Sequence, residues 1–352
     1  MKRSSQYFVG PAIDTFFVGG LSIAFYLIAY TWMYEHPPSW IYSLSALLFW
    51  FGNWPHFAAT NYRLYHSREN IRQYPLTALA VPPLIIAGVV ASLMHPDTIA
   101  PFFVKVFLVW SPYHFSGQTV GVTMIYARRA GFNIDPITRR ALTSFVFGSY
   151  LVNLVAQESS TTFSTYYGIQ VPGFGIPLGL YDVFQVIMYA GGALFLLGYI
   201  RQSRQRKQLL PLIILLAPLT QYVWFVLGSR IAGYNEFVPF FHSIQYLLVA
   251  WSMQLVERAE REKQLGNPAF FWTESARWFG LNIVIGALLF AALPELVARA
   301  GNPTELSMGI VLAAVQLHHF FVDGVIWKLR RATVSQPLMV NLLDSFSPQR
   351  TT

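Results

Sequence analysis

Ten stretches of about twenty apolar residues follow one another along this chain, and that feature removes most folds from consideration. About 20 apolar residues in a helix cross the hydrocarbon core of a bilayer. Backbone inside lipid must satisfy its own hydrogen bonds, which leaves helices and closed barrels as spanning structures. The stretches lie at 12–34, 39–62, 76–94, 101–127, 139–157, 181–200, 209–227, 238–257, 277–298 and 306–329. They predict an all-α, polytopic integral membrane bundle of ten transmembrane helices, with residues 1–352 as a single membrane domain. Composition agrees. Only 11% of the residues are charged and 54% are hydrophobic, whereas an average soluble domain is about 25% charged.

Cytoplasmic loops carry an excess of Lys and Arg, so the basic residues set the orientation. Placing the even-numbered spans to end inside puts 21 of the 24 basic residues on one side: Lys2 and Arg3, then clusters at 63–72, 128–140, 201–207, 258–277 and 328–350. Arg230 and Arg299 fall on the other side, and Lys105 is expected to snorkel from the outer end of the fourth span. Both termini are therefore expected in the cytoplasm, in a multi-pass protein of the cell (inner) membrane. The net charge of +8 then reflects topology, and nucleic acid is not an expected partner. The first span carries Asp14 and lacks a small-x-small cleavage site, so it is expected to be retained. Asp14 itself is expected to be a helix-end partner for a cytoplasmic arginine or a pathway residue. The outer segment 158–180 is expected to be a solvated spacer or a lid. No internal repeat is visible, and a five-plus-five duplication places the histidines on different spans in the two halves.

Of the eight histidines, His36, His66 and His95 fall in loops. His56, His114, His242, His318 and His319 fall within spans, where an ionisable group is costly and faces the protein interior. All four host spans run from outside to inside. Counted back from the first basic residue after each span, the imidazoles sit about 10–24 Å above the inner interface, with His242 the farthest. Residues three or four apart share a helix face. Asn53, His56, Thr60 and Arg63 form one stripe. His114, Gly117, Gln118 and Gly121 form another, its glycines expected to admit a neighbouring helix. His242 lies with Gln245 and Tyr246, and His319 with Gln316 and Asp323. Pro55 and Pro239 are expected to open their helices near the histidines. Trp54, Trp110, Trp251 and Trp327 are expected to pack in the core or at the interface.

A set of imidazoles with polar companions is what a buried metal site requires, because ligating histidines are oriented by neighbouring acceptors. His56, His114, His242, His318 and His319 are the candidate metal ligands, and Asp323, Gln118 and Tyr246 the candidate catalytic groups. Asp323 is expected to orient His319 or to bind the metal itself. Absence of cysteine removes thiolate sites, and an all-imidazole site with one carboxylate suits iron, with zinc or copper as alternatives. No Walker loop, dinucleotide fingerprint or nucleophile elbow occurs.

In this use of histidines on membrane helices, the chain resembles the membrane fatty-acid desaturases and hydroxylases, and the membrane-embedded carotene dioxygenases. The repeated HxxxH and HxxHH boxes of the desaturases are absent, and the pair His318-His319 stands alone. The resemblance implies a metal-dependent membrane oxidoreductase of oxygenase, hydroxylase or desaturase type, with a lipophilic substrate and an electron donor as partners. Two other classes use the same residues: a haem-binding electron carrier with axial histidines, and a proton or metal-ion transporter using His, Asp14 and Asp323.

Overall fold

A computed structural model describes residues 6–34, 36–328 and 332–346. Lys2, Arg3, Arg330, Arg331 and Arg350, which enter the charge argument, lie outside the described residues, as does the last residue of the tenth apolar stretch. Among the described residues the structure is helical apart from one short hairpin. The long helices are α1 (Pro11–Trp32), α2 (40–65), α3 (Leu76–Met94), α4 (Ala100–Arg129), α5 (Pro136–Glu158), α6 (Gly179–Gln205), α7 (Ile213–Arg230), α8 (Val238–Glu262), α9 (Pro268–Arg299) and α10 (Thr304–Ile326). Six of them, α1, α3, α6, α7, α9 and α10, are long and apolar enough to cross a membrane.

The helix starts follow local chemistry. Asp135 accepts hydrogen bonds from the backbone of Ile137 and Thr138 and caps α5, and Asn267 caps α9 in the same way. That cap starts α9 nine residues before the apolar stretch does, so Glu274 and Arg277 lie within the helix and pair there. Proline lacks an N–H and clashes with the carbonyl four residues back, which widens a helix locally. Accordingly, π-turns at Phe49–Asn53, Leu76–Ala80 and Leu288–Ala292 each end two residues before a proline: Pro55, Pro82 and Pro294. Pro239 behaves differently from expectation. It sits in the first turn of α8, where a missing N–H is harmless, and opens nothing.

α8 lies at the centre, with every residue from Phe241 to Ala250 buried. α1, α2 and α9 pack against it, rings on α4 and α10 meet its His242 and Tyr246, and α3 is peripheral, with 11% of its apolar window buried. Segment 158–180 carries the one strand pair among the described residues. It folds into an antiparallel hairpin, Ser164–Tyr166 with Ile169–Val171, turned at Tyr167 and Gly168, both of which have positive φ. Ile169 and Val171 are buried against Ala100, Val104 and Ile310, fixing the hairpin over the first turns of α4 and α10. Lys105 is also not as expected: it is 4% exposed and pairs with Glu158, which removes the need to snorkel.

At the opposite end Asp14 takes the structural role. Its carboxylate accepts hydrogen bonds from the backbone of Phe8, Val9 and Gly10 and from Tyr126 Oη. Arg129 binds the carbonyls of Tyr7, Leu338 and Val340, and Leu342 N donates to Phe8 O. The two ends of the described chain thus meet beside the last turn of α4.

Candidate metal centre

Four buried imidazoles converge between α2, α4, α8 and α10. One ring nitrogen each from His56, His114, His242 and His319 can be chosen so that all lie within 4.8 Å of one another. His56 Nε2 is 3.0 Å from His319 Nε2, which is 3.1 Å from His114 Nε2. Nitrogens bound at 2.0–2.1 Å to one ion stand about 3.0 Å apart at right angles and about 3.4 Å apart at the tetrahedral angle. The His56–His319 and His319–His114 spacings are those of adjacent ligands on a common ion.

The helices aim each ring. The π-turn before Pro55 adds a residue to that turn of α2 and shifts the phase of everything after it, including His56. Ser243 Oγ donates its single proton to Pro239 O at 2.6 Å, so it accepts from His56 Nδ1 at 2.9 Å. His56 therefore carries its proton on Nδ1 and presents a bare Nε2 lone pair to the other rings. Asn53 Nδ2 also donates to Ser243, at 3.2 Å. His242 packs its ring on Phe115, and both its nitrogens are buried without a hydrogen-bond partner among the described residues. Such orphaned polar atoms are rare in native interiors. A cation among the four rings gives one nitrogen of His242 a partner, so the residues present fit a metal ion of the imidazole-preferring kind.

Of the other expected site residues, Asp323 lies at the edge of the cluster. Its Oδ2 is 3.6 Å from His319 Nε2 and 3.7 Å from His114 Nε2. It does not orient His319 through Nδ1, which is buried and unpartnered; the carboxylate, one turn along α10, faces the converging nitrogens themselves. Thr60 Oγ1 and Trp327 Nε1 both donate to Asp323 Oδ1, at 3.2 Å each. Tyr246 Oη is 2.6 Å from Thr60 Oγ1, and with the Thr60 proton directed to Asp323 it donates to Thr60. A chain Tyr246–Thr60–Asp323 thus ends beside two of the rings. The Tyr246 ring also stacks on His56, with centroids 4.1 Å apart. Gln118 Nε2 donates to His242 O at 2.9 Å, and its Oε1 is buried and unpartnered.

His318 does not join the group. Adjacent residues of a helix point about 100° apart, and with His319 inward, His318 meets Tyr65 Oη at 3.1 Å on another face of α10. His36, His66 and His95 are also outside the group. Ser243 was not singled out from the sequence. It directly follows His242, and a search for partners at helical spacing passes over an adjacent residue that serves a different helix.

Gly117 and Gly121 do not admit a neighbouring helix, since a Cβ on either would meet nothing within 4 Å. They open instead onto a cavity of about 380 Å³ beside the cluster, lined by His114, Gln118, Tyr246, Asp323 and mostly apolar side chains. Comparison with protein-family models, curated proteins and solved structures finds no match to the chain.

Proposed function

We propose that this chain is a metal-dependent oxidoreductase embedded in the cell (inner) membrane, of oxygenase, hydroxylase or desaturase type, acting on a lipid-soluble substrate. The observation that carries this reading is the convergence of four buried imidazoles beside an apolar cavity. Non-haem iron is the proposed metal, held by His56, His114, His242 and His319, with zinc or copper as alternatives. The ion would supply redox chemistry among four buried imidazoles. Around it the chain provides its own functions: Ser243 fixes the His56 tautomer, Asp323 holds negative charge against the converging nitrogens, and the Tyr246–Thr60 pair can pass a proton to that carboxylate. Hydroxylation of a C–H bond by O₂ places one oxygen atom in the product and the other in water, consuming two electrons and two protons. An electron donor is therefore a required partner.

The same reading includes ten spans with both termini cytoplasmic. Three of the four long helices that are not apolar enough by composition, α2, α4 and α8, carry histidines of the cluster. Their polar side chains, such as Asn53, Thr60, Ser116, Thr119 and Gln245, are buried. Polar residues turned inward lower a helix's average apolarity without exposing polarity to lipid. The meeting of segments 7–9 and 338–342 beside Arg129 is consistent with both ends lying on one side.

A haem is disfavoured by the spacing. Two axial nitrogens at about 2 Å on opposite faces of a porphyrin stand about 4 Å apart with the macrocycle between them, and the 3.0 and 3.1 Å spacings of His56–His319 and His319–His114 leave no room for one between those pairs. Elemental analysis and an absorption spectrum of detergent-purified protein, with oxygen uptake on membrane lipids and a reductant, test the proposal. Near-stoichiometric iron without a Soret band is expected. A metal-free protein that conducts protons in sealed vesicles would instead establish a transporter.

A further inference from the structure

The cavity beside the centre continues outward along α4. A second cavity, of about 530 Å³, lies against Tyr150 and Phe174 and shares Trp110 and Tyr113 with the first. The α4 residues lining the two recur every three or four positions from Phe102 to Ile125, so they form one continuous helix face. Its ends are about 34 Å apart along the helix, and His114 stands near the middle. The outer part is open at the surface, with Phe102 61% and Val106 52% exposed.

Three glycines give this groove its width. Several other helical glycines serve packing: a Cβ on Gly148, Gly191 or Gly286 would come within 3 Å of the backbone of a neighbouring helix. A Cβ on Gly117, Gly121 or Gly324 would meet nothing within 4 Å, and all three line the cavity beside His114 and Asp323. A glycine inside a helix is less favourable than alanine by about 1 kcal/mol, and at these positions no close helix contact offsets that. The buried, unpartnered Oε1 of Gln118 belongs to the same wall. The charged residues on the groove are Asp323, at the centre, and Lys105, already paired with Glu158.

We propose that this groove is the substrate channel. It takes a long hydrocarbon chain lying parallel to α4, with no charged group in the groove, and Gly117, Gly121 and Gly324 leave room where the chain passes the metal centre. The reacting carbon is then an interior one, remote from both chain ends. The reaction rests on the metalloenzyme reading, whereas the groove rests on its own shape and lining.

The probe is the methyl ester of cis-parinaric acid, an uncharged long-chain conjugated polyene that accepts excitation energy from tryptophan; Trp110 and Trp327 line the cavity. Gly117→Leu and Gly324→Leu should each weaken its binding at least tenfold while leaving the metal-to-protein ratio of the wild type. Gly280→Leu fills another open glycine position, on α9, and should bind the probe normally. If a leucine variant fails to fold, the double variant Gly117→Ala, Gly324→Ala serves, and it should weaken the probe without losing metal. Unchanged probe binding in folded variants with full metal overturns the channel and leaves the metalloenzyme reading standing. Loss of the probe in variants of a protein that holds no metal supports the groove and removes the metalloenzyme reading.

Discussion

Ser243→Ala isolates the support of one imidazole without touching a proposed ligand. The hydroxyl accepts from His56 Nδ1 at 2.9 Å and from Asn53 Nδ2 at 3.2 Å, and donates to Pro239 O at 2.6 Å. His56 is fully buried, so the variant leaves its Nδ1–H without a partner or frees the ring to take the other tautomer. An unsatisfied buried donor costs about 1–3 kcal/mol. Losing a group that orients a ligand lowers metal affinity by roughly 10–100-fold, which is about 1.4–2.7 kcal/mol. The assay is a competition titration of the metal against a chelator of known affinity, run beside thermal unfolding of the metal-free protein. Ser116→Ala is the control, because that hydroxyl is equally buried but bonds Pro112 O and Gln221. It should lower stability and leave metal affinity alone. A Ser243→Ala protein that loses stability yet binds metal like the wild type would refute the assigned role and make Ser243 a packing residue.

Replacing His56, His114, His242 or His319 singly with Ala should lower bound metal, while His318→Ala should retain it; metal analysis of the purified set decides, and loss of metal in His318→Ala alone would reverse the ligand assignment. Asp323→Asn keeps an acceptor for Thr60 and Trp327 but removes the charge facing two rings. It should fold normally and lower oxygen consumption on a lipid substrate by roughly 10–100-fold; undiminished turnover would show that the charge is not used. Asp135, in the loop before α5, is held below the usual carboxylate range chiefly by the Thr138 N–H, with help from the Thr138 hydroxyl and Arg201. Its stabilising contribution is present above that range and lost as pH falls through the lowered value. Asp135→Asn should therefore flatten part of the acid-side decline in melting temperature, and an unchanged pH profile would contradict the cap.

Much of the bundle was legible because lipid imposes a simple length and polarity rule on helices. What the rule does not contain is which face of one helix meets which face of another. His56, His114, His242 and His319 stood out by position within apolar runs. His318 stood out for the same reason, and only the rotation of α10 separates it from His319. The glycines at 117 and 121 have the spacing of a helix contact, and that spacing is equally compatible with a void. Lys105 was misread because its partner, Glu158, lies 53 residues away in sequence. α9 began earlier than its apolar stretch because Asn267 caps it and Glu274 finds Arg277, both local effects that a hydropathy boundary ignores. Asp323 was identified by its spacing from His319, but its direction relative to Nδ1 and Nε2 depends on the side-chain geometry.

The central claim is that these four imidazoles hold one metal ion, and X-ray absorption at the metal edge of the purified, metal-loaded protein tests it most directly. The account predicts a first shell of nitrogen or oxygen at about 2.0–2.1 Å, with the outer-shell scattering of three or four imidazoles that diminishes in the His242→Ala and His319→Ala proteins. A spectrum without imidazole scattering, or one unchanged in both variants, would contradict it.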